Sequence, residues 1–241
     1  MERSVFSRAA RELIWSVGEA VYPVACAVCG ARLDRRAGDL PLCGVCDAAL
    51  VALGEAFCLT CARTGGEPRR CVRASHLALA GAFVWNEPVR ALVHALKFGD
   101  TPEIAPALVA RAWSTPAFAA RPRPDAIVPA ALHALRRRER GYDQSEALAQ
   151  TFASLAGAPV GPWLRRRRAT RQQARLGARE RAVNLAGAFE VIAPAMVKGR
   201  RIAVVDDVVT TGATGTAACE ALAAAGAQRV ELWAIAYEPL E

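Results

Sequence analysis

The chain has 241 residues, 53% hydrophobic and 22% charged, enough to bury a core and unlike a disordered or fibrous composition. No run approaches the roughly 18 uninterrupted apolar residues of a membrane-spanning helix, which excludes a helical transmembrane protein. Thirty-one basic against 23 acidic residues give a net charge of +8, and only Lys97 and Lys198 are lysines; this arginine excess suits phosphate oxygens and points to an anionic ligand or nucleic acid, unless it follows from a genome whose base composition favours Ala and Arg together.

In the first residues Arg8, Arg11, Glu12 and Glu19 stand where a secretory signal needs an apolar block, so a cytoplasmic protein is expected. Seven of the eight cysteines then follow in one block: Cys26-Ala-Val-Cys29, Cys43-Gly-Val-Cys46, Cys58-Leu-Thr-Cys61 and Cys71. In a cytoplasmic chain such clustering argues for metal rather than disulfides. Two thiolates two residues apart sit on one turn and face one ion, and two such turns supply the four soft ligands of tetrahedral Zn²⁺. Pairing in chain order assigns one zinc to Cys26, Cys29, Cys43 and Cys46. A second set begins with Cys58, Cys61 and Cys71 but lacks its fourth cysteine. The spacing wants it at Ala74, and two readings stay open: His76 completes the set, or the unit survives as a packed knuckle without metal. One or two structural zinc ions are therefore expected, because four protein ligands leave no position open to substrate.

Near Cys71 to Gly81 the cysteines give way to the apolar run Leu77 to Trp85, which divides the chain into a ribbon unit, 1–76, and an α/β unit, 77–241. His94 falls on an apolar helical pattern with Val93 and Leu96 and is expected to pack. Asp125-Ala-Ile-Val-Pro129 reads as a strand ending in a loop. The arginine-rich stretch from Leu132 and His133 to Gln144 follows and leads into a helix over Ser145 to Leu155; its charges either grip a polyphosphate or form a solvated helix face. From Arg165 to Asn184 the chain is dense in donors and nearly free of acids. Such a segment cannot bury a face of its own and reads as a mobile arm that orders over an anion, with a basic linker or a nonspecific nucleic-acid patch as the alternatives.

The most informative segment is Arg201 to Thr216. Ile202 to Val205 is a short β-branched run, read as a buried parallel strand, and Asp206 and Asp207 follow at its carboxyl end, where ligands sit in open α/β sheets. Thr210-Thr211-Gly212-Ala213-Thr214 is a small hydroxyl-rich turn opening a helix from about Thr216 to Ala225, with Cys219 as a small buried hydrophobe in it. A strand over Val230 to Tyr237 completes the unit. Backbone N–H groups at a helix start favour an anion, and two carboxylates beside them would repel phosphate but accept hydrogen bonds from sugar hydroxyls. A ligand carrying a ribose and a 5′-phosphate satisfies both halves. The Gly-Lys-Ser/Thr of a P-loop and the glycine spacing of a dinucleotide fingerprint are both missing.

This segment resembles the phosphoribosyltransferases of the type I fold, and that resemblance implies a fold, a parallel sheet with helices on both faces, and a ligand, phosphoribosyl pyrophosphate (PRPP). It also implies that Asp206 and Asp207 hold the ribose hydroxyls and that Thr210, Thr211, Gly212, Ala213 and Thr214 hold the 5′-phosphate. Most of the chain is similar to the ComF family of competence-related proteins: the N-terminal helix and double ribbon, Leu96-Lys97-Phe98-Gly99, Leu132-His133, Arg138 to Gln144, Thr170/Gln173/Leu176/Asn184, and Val204 to Thr214. Departures are Ala74, Val128-Pro-Ala-Ala-Leu-His133 in place of Val-Pro-Val-Pro-Leu-His, and Tyr142-Asp143 where Phe-Asn is usual. The resemblance implies Mg²⁺-dependent phosphoribosyl transfer to an unidentified acceptor. Val128, Pro129, His133, Arg140, Arg179, Arg181 and Lys97 are the candidate contacts of the pyrophosphate and of the closing arm. The alternative it leaves open is a non-catalytic PRPP sensor that binds single-stranded DNA.

Overall fold

The computed structural model describes residues 25–33, 39–55, 57–58, 77–98, 102–119, 121–130, 142–167 and 187–238. Its centre is a five-stranded sheet of β1 (Phe57–Cys58), β2 (Ala78–Val84), β3 (Ala126–Pro129), β6 (Arg201–Val209) and β7 (Arg229–Tyr237), in the spatial order β1-β2-β7-β6-β3. The pairs β2–β7, β7–β6 and β6–β3 are parallel, and β1 runs antiparallel to β2. A parallel sheet is covered on both faces, so its strands read as continuous apolar runs rather than alternating ones. Ile202 to Val205 and Leu232 to Ala236 do so and are buried throughout.

Alternate residues of these strands serve two separate cores. Ala203, Val205, Trp233 and Ile235 pack with α2 (Glu87–Phe98), α3 (Ala105–Trp113), α4 (Pro116–Ala119) and α5 (Gln144–Ala156). Trp113, Phe118, Phe152 and Trp233 form an aromatic cluster in this layer, with ring centroids 5.2 to 6.2 Å apart. Ile202, Val204, Leu232 and Ala234 pack on the opposite face with α7 (Ala213–Ala224) and with the antiparallel pair β4 (Leu164–Arg166) and β5 (Phe189–Val191). A last short helix, α6 (Pro194–Val197), leads into β6. The fold is thus the α/β class that the strand-turn-helix pattern predicts, with helices on both faces.

The cysteine block sits on the first of these layers. Cys26, Leu42 and Cys46 belong to the same core as Leu92, Val93 and Leu96 of α2, and the one-turn helix α1 (Gly44–Ala48) carries the second cysteine pair. Asn86 donates to the carbonyl of Ala49 at 2.8 Å, and Arg111 meets Asp47 at 3.1 Å. The chain leaving α1 then runs antiparallel along β2: Leu53 donates to Ala82 O, and Val84 donates to Val51 O. This stretch and β1 cover the outer edge of β2.

Two boundaries differ from those the sequence predicts. β6 does not stop at Val205 but continues to Val209, because β7 pairs with it all the way, Asp206 opposite Ala234 and Val209 opposite Tyr237. The acidic pair therefore lies within a strand. α7 starts at Ala213 rather than near Thr216, because Gly212 adopts a left-handed conformation (φ 73°) at its N-cap, and a glycine turns the chain there without steric cost. Gly215 lets the first turn of α7 approach β7: a Cβ added there would lie 2.3 Å from Cδ2 of Leu232, a residue with no exposed surface. Gly215→Val should therefore lower stability by about 1–3 kcal/mol, an overpacking cost that denaturant unfolding would measure.

Candidate functional site

The four thiols of the first cysteine set converge. Their Sγ atoms all lie within 4.8 Å of one another, and Cys29 and Cys43 are 3.7 Å apart. A tetrahedron with Zn–S bonds of about 2.3 Å has edges of about 3.8 Å, so the cage fits zinc. Burial opposes ionisation of Cys26, but hydrogen bonds from the backbone of Cys29, Cys43 and Val28 outweigh it and hold the thiol down at about 6. Burial pushes Cys46 up to about 12, so its ionisation awaits a cation. Cys61, Cys71 and His76 lie outside the described residues, as does the side chain of Cys58.

The second cluster forms at the carboxyl end of β6. Asp207 is only 4% exposed, and its carboxylate is enclosed by donors from two helices and from the strand itself. Oδ1 faces Lys97 Nζ of α2 at 3.0 Å and accepts the Val208 N–H at 2.7 Å, while Oδ2 accepts Gln144 Nε2 of α5 at 3.1 Å. Asp206 is half-buried, and its Oδ1 accepts the N–H of Asp207 at 2.9 Å. Burial and the adjoining Asp207 carboxylate push Asp206 up to about 7, against the pull of the Asp207 N–H, Lys97 and Arg166.

Beyond Val209 the chain bends through Thr210 and Thr211 and enters α7 at Gly212. Thr211 Oγ1 accepts the Ala213 N–H at 3.3 Å, and Thr216 N donates to Gly212 O at 2.7 Å. Thr210, Thr211, Ala213 and Thr214 are half-buried, and the first turn of α7 holds no acidic side chain. The turn thus brings the start of a twelve-residue helix to the carboxyl edge of a parallel sheet, just beyond Val209 and its ladder partner Tyr237.

Lys97, expected as an anion contact, is instead engaged with Asp207. Val128 and Pro129 are not in a loop: both belong to β3, opposite Val204 and Val205, and are buried there. The segment that follows them, with His133 and Arg140, lies outside the described residues, as do Arg179 and Arg181. The start of the expected arm is a strand: Arg165 to Arg166 pair with Phe189 to Glu190, and both Arg165 and Arg167 form ion pairs with Glu190. Hydrogen bonds from these two guanidiniums hold Glu190 down at about 2. Arg166 sits over the Phe189 ring, 5.7 Å from its centroid. His94 is not packed in the core; it is exposed on α2 with its ring 4.9 Å from that of Phe98, because one residue's step from Val93 turns it about 100° away. Cys219 is buried, as the helical pattern predicts.

Asp143 has a local structural explanation. It is the N-cap of α5, accepting the N–H groups of Ser145 and Glu146 at 3.0 and 3.3 Å, so its negative charge is met by the start of that helix. Gln144 is the functional neighbour that sequence reasoning missed. It lies 63 positions from Asp207, and no spacing rule connects them.

Residues 164–240 match the model of the phosphoribosyl transferase domain, and residues 17–75 match that of the double zinc ribbon domain. The chain is 34% identical to DNA utilization protein YhgH of Salmonella typhi over 224 residues, covering 88% of this chain and 96% of that protein. It is 32% identical to the protein of the same name from Escherichia coli K12 over 232 residues (88% and 96% covered), and 27% identical to competence protein F of Haemophilus influenzae over 209 residues (84% and 87% covered). The chain belongs to the ComF family. Among solved structures, the glutamine PRPP amidotransferase of B. subtilis overlaps 61% of this ComF chain and 27% of its own, with 17% identity and a TM-score of 0.36, too slight a likeness to carry an argument.

In this ComF chain the Cys26–Cys46 set falls inside the zinc-ribbon match and the segment from Asp206 to Thr214 inside the phosphoribosyl transferase match. The four thiols are a structural zinc site. Among the described residues no helix is long and apolar enough to cross a membrane. Elemental analysis of the purified protein should find at least one zinc per chain. Cys46→Ser should remove one equivalent and lower the melting temperature, since Cys46 lies in the core shared with α2.

Proposed function

We propose that this protein binds PRPP at the carboxyl edge of the sheet and, with Mg²⁺, transfers its phosphoribosyl group to an acceptor in a cytoplasmic process linked to DNA uptake or use. The supporting observation is the succession, inside one phosphoribosyl transferase domain, of two neighbouring carboxylates and a small-residue turn that enters a helix through a left-handed glycine. Carboxylates at Asp206 and Asp207 suit a sugar's hydroxyls, and the N–H groups and hydroxyls from Thr210 to Thr214 suit its 5′-phosphate. We place the division of the chain between residues 76 and 77, with a ribbon unit before it and an α/β unit after it.

In this reading a nucleophile displaces pyrophosphate from C1 of the ribose through a transition state with positive charge on the ring. Mg²⁺ bound together with the substrate, rather than in a protein cage, would supply positive charge to the leaving pyrophosphate. The protein's part is to hold the ring still and keep water out. The acidic pair orients the sugar, the turn before α7 anchors its phosphate, and the segment after Pro129, with His133 and Arg140, meets the pyrophosphate. The chain beyond Arg167, with Arg179 and Arg181, closes over it. No protein nucleophile is required. Titration calorimetry with PRPP and Mg²⁺ should give saturable binding, and Asp206→Asn should weaken it by about 10- to 100-fold, the worth of charge-assisted hydrogen bonds. A wild-type protein that takes up no PRPP would end this reading. A pyrophosphate-release screen across bases, amines and DNA then identifies the acceptor.

A second reading, a PRPP sensor that engages single-stranded DNA, draws on the net charge of +8 and on the DNA and competence functions in the relatives' names. It requires single-stranded DNA affinity that falls steeply with added salt, as arginine–phosphate contacts dictate; no binding at low salt rejects it.

A further inference from the structure

The PRPP reading treats the two carboxylates alike, and their surroundings do not. A carboxylate offers about four acceptor sites. On Asp207, Oδ1 already takes Lys97 Nζ and the Val208 N–H, and Oδ2 takes Gln144 Nε2. With 4% of its surface exposed, the residue has little room for a sugar hydroxyl. Gln144 is itself only 3% exposed at the start of α5, so its side chain has little free space into which to turn away. Both side-chain partners come from the α2 and α5 layer. Strand alternation from Ile202 and Val204, which pack against α7, puts Asp206 on the other layer, the one entered by the turn at Thr210 to Thr214. Only Asp206 combines partial exposure with a carboxylate oxygen, Oδ2, to which no described donor is bonded.

We propose that the acidic pair divides its work: Asp206 alone takes the ribose hydroxyls, and Asp207 is a positioning residue, locked by Lys97 and Gln144, that fixes the strand end and sets the charge against which Asp206 ionises. This rests on the PRPP reading above. Among the described residues, the charged groups facing Asp206 are Asp207 on the same strand, Lys97 from α2 and Arg166 from β4. Its folded-state value near 7 gives the sign of the pH dependence. Hydroxyl donors favour the ionised carboxylate, so PRPP affinity rises with pH up to that midpoint and levels off above it.

The test is calorimetry of PRPP with Mg²⁺ across neutral pH, with thermal unfolding run alongside. Asp206→Asn should weaken binding at every pH and flatten the profile. Asp207→Asn should cost less than about tenfold on the plateau, less than one charge-assisted hydrogen bond is worth, and move the midpoint down because a neighbouring negative charge is gone. Lys97→Met should move the midpoint up, and Lys97→Arg should restore it. If either single variant fails to fold, Lys97→Met with Asp207→Asn removes both charges of the buried pair together and so leaves neither uncompensated; the folded double variant should bind within about tenfold of the wild type on the plateau. Loss of binding at all pH values in a folded Asp207→Asn protein, or in the folded double variant, would show that Asp207 meets the sugar directly and overturn the division. So would a midpoint that ignores Lys97. Absence of PRPP binding in the wild type removes the underlying reading and the division with it.

Discussion

A strand in the middle of a parallel sheet is covered on both faces, yet β6 carries two adjacent carboxylates near its carboxyl end, and the rest of the site is arranged around that conflict. Burying one charge requires an opposite charge and donors for its remaining lone pairs. α2 and α5 supply them as Lys97 and Gln144, so two helices far apart in sequence are fixed in register with the strand. The neighbouring carboxylate is left half in water. Burial and like charge hold it in a state from which ionisation costs little at neutral pH, a usual position for a group that must respond to a ligand.

The opposite end of the sheet resolves a similar conflict without any ligand. Glu231 is nearly buried at the start of β7, with Arg121 at 2.8 Å, Arg229 at 2.7 Å and the indole N–H of Trp233 at 3.4 Å. Burial raises its carboxyl, and the two guanidiniums more than reverse this, leaving it below its ordinary value. Here the acceptor oxygens are matched by fixed donors. The difference between the two ends is therefore one of unsaturation: buried acids are satisfied at the amino edge, and one is left partly unmet at the carboxyl edge, where ligands enter sheets of this class.

The local parts of this design are legible in the sequence. Thiolate spacing gives the zinc cage, a β-branched run followed by acids and a Thr-Gly turn gives the strand-turn-helix, and Cys219 in an alanine-rich helical pattern is buried as that pattern requires. What the sequence hides is pairing over distance. β6 continues to Val209 only because β7 runs beside it, and Arg165 and Arg167 are tied down only because Glu190 lies on a strand that folds back 25 and 23 positions later. Lys97 reads as a contact for an anionic ligand until α2 is laid against the sheet and its ammonium meets Asp207. Asp143 shows the reverse limit: an acid close to an anion site is out of place by charge counting and ordinary once it caps a helix.

The antiparallel run of residues 51–53 along β2 has a consequence for solubility. That run follows directly from the helix that carries Cys46, so the metal cage also anchors the cover of an otherwise open β edge. An uncovered edge offers unpaired N–H and C=O groups as a template for another chain. The four-thiol cage therefore fastens the cover of that edge as well as the ribbon that carries it.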